Sequence, residues 1–239
     1  MASERFAEII YNSIFVISIL NFLNIYISPI ILVAYTSLYN FRYTNQIIFT
    51  CLCSNFVYNN ITKNGKEIVC YTSSIHASIL AFCSILKLGN ILNVYFYDLI
   101  LDYSVVYNLF DIVYLLYYNS KIKNQMIFHH TVVISTILYK SWYPLLPNYY
   151  YYVALNYLSE ITTVPLNVTW LLHLKKKKNV PMYTIASITT IVLYIPFRVL
   201  LNTYLFYHQI YYIDSFITYI QGMFMCLNYY WFYKLCKMS

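Results

Sequence analysis

Charge is what this sequence has least of. Asp, Glu, Lys and Arg make up only 10% of its 239 residues, against about 25% in a soluble domain, which excludes an ordinary water-facing globular fold. Also missing are a paired C-x-x-C spacing, a basic n-region before the first apolar run, and any repeat or low-complexity domain. The six cysteines (Cys51, Cys53, Cys70, Cys83, Cys226 and Cys236) therefore lack the paired ligands that zinc needs. Most sit in apolar runs, where a free thiol behaves as a small hydrophobe, so neither a metal nor a disulfide is expected. Cys236, between Lys234 and Lys237, is placed for either S-palmitoylation or a plain thiol at a membrane edge. The first apolar run exceeds the roughly 7 to 15 residues of a signal-peptide core and is read as a mature helix.

What is present is apolar: 61% hydrophobic residues and a mean hydropathy of +0.57. The 31 tyrosines are spread over every segment instead of forming two interfacial belts, so no function is attached to them. A helix crosses the hydrocarbon with about 20 residues. Seven runs approach that size: Ile9–Ala34, Ile68–Lys87, Val94–Tyr118, Gln125–Tyr143, Tyr149–Leu174, Met182–Tyr207 and Tyr211–Tyr233. The shorter run Ile47–Tyr58 is expected to be interfacial or re-entrant. These runs predict an all-α polytopic membrane bundle.

The net charge of +7 does not point to nucleic acid, because Lys and Arg fall in short clusters between the runs. Such clusters are topology signals. Arg5, Lys87 and Lys140 lie on one side, Arg198 lies inside the sixth run, and the other eleven of the 15 basic residues lie opposite. The positive-inside rule then places the C-terminus in the cytosol, where the sequons at Asn60 and, within the membrane, Asn167 stay without glycan. The run Lys175, Lys176, Lys177 and Lys178 reads either as a topogenic anchor or as a cradle for anionic headgroups or acyl-CoA phosphates.

Ionisable and amide groups within spans are costly unless they face the bundle interior or water. At 1.5 Å per residue from the cytosolic basic clusters, His129, His130 and Asn228 lie roughly 10 Å deep and Asn167 slightly deeper. His76 and Asp111 follow at roughly 15 Å, Glu160 at roughly 22 Å and Arg198 at roughly 30 Å. Two readings stay open: one polar tunnel entered from the cytosol, or unrelated packing hydrogen bonds. Adjacent helical residues point about 100° apart, so only one of His129 and His130 faces a shared site and the other orients or packs. Asp111 is the nearer carboxylate to fix a tautomer, Glu160 the other. Glu160 equally suits a buried pair with Arg198.

In chain order, TSSIHASILAF, NLFDIVYLL, FHHTVV, LSEITTVPLNVTW, IPFRVLL and LNYYWFYK resemble the motifs of the TLC (TRAM, LAG and CLN homology) domain family. The resemblance implies residues 1–66 as a first transmembrane helix with its connector and 67–239 as the TLC domain, six of whose helices form a barrel around a lipid tunnel. In the ceramide synthase branch a His pair and acids serve acyl transfer from acyl-CoA to a sphingoid amine. By position, His129 and His130 match the His pair and Glu160 the first acid, while Thr163 stands where that branch has a second acid. The segment S-E-I-T-T-x-P-x-N is similar instead to the branch that adjusts membrane lipid composition. Catalytic roles are thus expected at His129, His130, Glu160 and Asp111, and lipid or substrate contacts at His76, Asn167, Arg198, Asn228 and Lys175 to Lys178. The implied partners are membrane lipids, with a fatty acyl chain or sphingoid base in the tunnel, acyl-CoA as a possible co-substrate, and no resident cofactor. Two function classes remain, an acyltransferase or a non-enzymatic lipid-binding, transport or composition-regulating protein; a cargo receptor or translocation accessory ranks last because the soluble segments are short. Location in the endoplasmic reticulum is implied at family level only, since the C-terminal CKMS is no dilysine signal. Oligomeric state, homo-oligomers included, is left open.

Overall fold

The computed structural model describes residues 44–62, 64–117, 123–142, 148–212 and 215–238. The expected first span, Ile9–Ala34, lies outside them, as do Arg5, Arg42, Lys63 and Lys121, which entered the charge count. The described residues are helical throughout, with no strand among them: α1 (Thr44–Asn60), α2 (Gly65–Leu88), α3 (Val94–Tyr117), α4 (Lys123–Trp142), α5 (Tyr149–Tyr157), α6 (Thr163–Leu174), α7 (Pro181–Tyr194), α8 (Leu201–Tyr212) and α9 (Ser215–Met238). By length and composition, Gly65–Leu88, Val94–Leu116 and Pro181–Ile210 can each cross a membrane.

Local chemistry sets the ends. The Asn64 side chain accepts from Lys66 N and caps α2, whose first turn carries Glu67 and whose last carries Lys87. Those signs match the helix dipole. Asn148 (φ 62°) precedes α5, and Pro181, which needs no donor in a first turn, starts α7.

Two prolines break the fifth and sixth runs, which the hydrophobic pattern alone presents as continuous helices. Pro165 has no N–H for the carbonyl of Ile161, and the chain tightens into a 3₁₀ turn, Leu158–Thr162, between α5 and α6. Pro196 sits in a π turn, Ile195–Leu200, between α7 and α8, which closes with Leu201 N bonded to Pro196 O. The two irregular turns pack against each other. One carries Glu160 and the other Arg198.

The short apolar run Ile47–Tyr58 is helical. It lies within a 17-residue helix, α1, that seats Ile47, Thr50, Ser54 and Val57 against α3 and α2. Seventeen residues rise about 25 Å, of which the apolar run covers the inner part, and among the described residues α1 is not one of the three helices long and apolar enough to cross a membrane.

Packed pairs close a ring: α2 on α3, α3 on α4, α4 on α9, α9 on α8, α8 on α5, and α5 and α6 back on α2, with α7 on α6. At one end Leu80, Tyr97, Leu101, Ile137, Val153 and Ala154 fill the inside. Outward faces are apolar: Phe82 is 61% exposed and Val192 60%. Polar groups go inward, with Ser104, Asn108, Asn202 and Gln221 all buried. This inversion suits lipid, where apolar surface gains nothing by association and packing and interhelical hydrogen bonds hold helices together.

Candidate functional site

The first polar centre is built on α3. Ser104, Asn108 and Asp111 follow at i, i+4 and i+7, which puts them on one face, and all three are buried. Opposite them α4 supplies His130, 5% exposed, whose Nε2 lies 2.6 Å from Asp111 Oδ2. His130 Nδ1 is bonded to Asn108 Oδ1. Asn108 Nδ2 donates to Ser104 O at 2.6 Å, and Ser104 Oγ shares hydrogen bonds with Tyr157 OH at 2.9 Å and His76 Nε2 at 3.3 Å. His76 stacks on Tyr107, ring centroids 3.8 Å apart. Four helices, α2 to α5, thus meet in one hydrogen-bonded group resting on the apolar end.

The second centre surrounds Arg198. Its Nε donates to Thr162 Oγ1 at 2.6 Å, Nη2 to Thr163 Oγ1 at 2.8 Å and Nη1 to Asn228 Oδ1 at 3.5 Å. Glu160 Oε1 stands 3.8 Å from Nη2, and Thr163 Oγ1 donates to Glu160 Oε2 at 2.8 Å. Tyr194 and Trp231 present their rings to the guanidinium at 5.7 and 6.0 Å. Counting helical rise separates Arg198 from Asn228 by roughly 20 Å, yet they touch. Such counting sets every basic cluster in one plane and ignores tilt, the π turn and the reach of an arginine.

His129 stands between the centres. Its ring meets those of Phe224 (5.5 Å) and Trp231 (5.3 Å) on α9 and of His130 (5.4 Å). Its Nδ1 is buried with no hydrogen-bond partner among the described residues. Trp231 is the shared wall, touching both His129 and Arg198.

Of the residues expected to serve a site, His76, Asp111 and His130 form the first centre, Glu160, Arg198 and Asn228 the second, and His129 the junction. Asn167 belongs to neither: its Nδ2 donates to Ser74 Oγ at 3.1 Å across the α2–α6 contact. Glu160, one of two acids considered for the histidines, is engaged by Thr163 and Arg198, and Asp111 takes the histidine. Lys175 to Lys178 are exposed where α6 ends; Lys175 Nζ pairs with Glu67 Oε2 at 3.2 Å, a hydrogen bond that raises the lysine pKa. Ser104, Asn108, Tyr157 and Thr162 escaped the sequence reading. The i, i+4, i+7 polar face in LDYSVVYNLFD was the signal for the first two.

A third group lies apart, with Asn156 Nδ2 on Gln221 Oε1 at 3.0 Å and Gln221 Nε2 on Asn202 Oδ1 at 2.9 Å. It ties α5, α8 and α9 together, and like Asn167 reads as packing.

A family model described as the TLC domain matches residues 66–237, most of the chain. A search of curated proteins and a search of solved structures each find no match.

Proposed function

The chain belongs to the TLC domain family, and from that premise we propose that it is a multi-pass membrane protein of lipid metabolism or homeostasis that transfers an acyl group from acyl-CoA to a lipid amine or hydroxyl through His129. Seven transmembrane helices form it, six of them in a barrel around a lipid tunnel, with the C-terminus and the Lys175–Lys178 cluster in the cytosol. The ring of packed helices, its apolar end, and the two polar centres beyond it support that reading.

One observation carries it: a buried imidazole nitrogen, His129 Nδ1, without a partner, beside a His130–Asp111 pair. An unmatched buried polar group costs about 1–3 kcal/mol, and binding a reactant there recovers it. The thioester carbonyl carbon forms a bond with His129 Nδ1, the C–S bond breaks, and the acylimidazolium gives its ring N–H proton to the leaving thiolate, so that CoA departs as its thiol. The acceptor amine or hydroxyl then attacks the acyl-imidazole carbonyl, the C–N bond to the ring breaks, and the acceptor's proton passes to the imidazole, restoring neutral His129. Asp111 orients His130 in both steps. The polar end of the acyl chain lies by Trp231, and the exposed lysines meet the CoA phosphates.

A second reading, lipid binding without turnover, is favoured by Thr163 in place of a second acid and by the engagement of Glu160 with Arg198. Incubation of purified protein with labelled long-chain acyl-CoA, followed by intact mass measurement, separates the two. Acyl transfer gives an adduct sensitive to hydroxylamine and lost in His129→Ala. Neither adduct nor CoA release across a range of acceptors, with a lipid still copurifying, establishes the second reading.

A further inference from the structure

We infer that Asn108 is a positioning residue for the histidine pair: it holds His130 with the proton on Nδ1, commits the Nε2 edge of that ring to Asp111, and so leaves His129 as the imidazole with a nitrogen open to a ligand. A main-chain carbonyl is the fixed point. Ser104 O only accepts, so the Asn108 atom 2.6 Å away is the amide nitrogen. That nitrogen is also 3.2 Å from Ser104 Oγ, which Tyr157 OH and His76 Nε2 hold in turn. Turning the amide over would set its oxygen against the carbonyl.

Asn108 Oδ1 therefore faces His130 Nδ1. An amide oxygen only accepts, so Nδ1 carries a proton. At the other edge Nε2 lies 2.6 Å from Asp111 Oδ2, off the line of a hydrogen bond, so that the carboxyl group covers that edge of the ring. With Nδ1 on the amide oxygen and Nε2 faced by the carboxyl group at that distance, His130 has no nitrogen open to a carbonyl carbon. His129, one residue earlier and turned toward Phe224 and Trp231, meets no amide or carboxylate at Nδ1 among the described residues. The two neighbouring imidazoles thus have separate tasks because a single amide on α3 reaches only one of them.

The role of His129 rests on the acyl-transfer reading; the proton position on His130 does not. Nitrogen-15 spectra of the full-length, histidine-labelled protein in detergent at neutral pH test the inference, with His130 assigned by comparison with His130→Gln. The expected spectrum shows a protonated His130 Nδ1. In Asn108→Leu, which removes the acceptor at similar volume, that resonance shifts toward the average of two tautomers while circular dichroism stays that of the native helices. An unprotonated Nδ1 in the natural sequence overturns the inference whatever the variant does, and so does an unchanged resonance in a folded Asn108→Leu protein. A protonated Nδ1 without any acyl adduct upholds the Asn108 role and removes acyl transfer. An adduct on His129 with Nδ1 unprotonated does the reverse.

Discussion

At the His130 centre a carboxylate touches the imidazole directly, Nε2 to Oδ2 at 2.6 Å, whereas at the Arg198 centre the nearest carboxylate oxygen stands 3.8 Å from the guanidinium and the Thr163 hydroxyl links the two. Uninterrupted helices build the first, so residue spacing decides which groups share a face. Proline-broken turns build the second. There the backbone leaves its regular path and neutral hydroxyls crowd around the cation. An imidazole offers two nitrogens, which Asn108 and Asp111 take up; a guanidinium offers five N–H donors and needs several acceptors, which Thr162, Thr163 and Asn228 provide. The pair with fewer donors is tightly matched, and the pair with more is spread over three helical segments.

If that contrast is right, the Arg198 centre is the more fragile. Arg198→Leu should cost up to about 3–5 kcal/mol, since it leaves the half-buried Glu160 without its cation and takes the donors from Thr162, Thr163 and Asn228, seen as a large fall in the melting temperature of detergent-purified protein. Glu160→Gln should lose a similar amount, and a double variant less than the sum. Loss confined to the Glu160 change would abolish the pairing. At the His130 centre, Asp111→Asn keeps the shape but trades a charged partner for an amide, and about 1.5–3 kcal/mol should go, read by the same melt. A loss as large as that of Arg198→Leu would erase the difference between the centres.

The smallest effect belongs to the third pair, Lys175 with Glu67, where the lysine side chain is 38% exposed. Lys175→Ala should cost about 0.2–1 kcal/mol at low salt and less at high salt. Glu67 raises the Lys175 pKa above its ordinary 10.5. That contribution is therefore full below the unfolded value of about 10.4 and fades as pH rises through the folded one. A melting temperature in which wild type and Lys175→Ala stay equally separated beyond that range would contradict the pairing.

Much of this was legible in the residues. Hydrophobic runs mark α2, α3 and α4 to within a few positions, because in lipid each span must satisfy its backbone internally and therefore reads as one apolar stretch. His130 and Asp111 stood out as costly groups at similar depth. The interruptions at Pro165 and Pro196 were visible as prolines, but their outcome was not, since a mid-helix proline is answered by a kink, a 3₁₀ turn or a π turn according to what packs around it. Asn108 escaped because the polar face it shares with Ser104 and Asp111 marks one side of α3 but not which helix packs there.

Composition and the length of the apolar runs alone settled that the chain is a helical membrane protein, and its motifs placed it in a family, since both depend on local residue type. Partnership was another matter. Whether Glu160 would meet a histidine or Arg198, and which histidine would be held, turned on distances between helices far apart in the chain, and those are set by how side chains and irregular turns fit together when the ring closes.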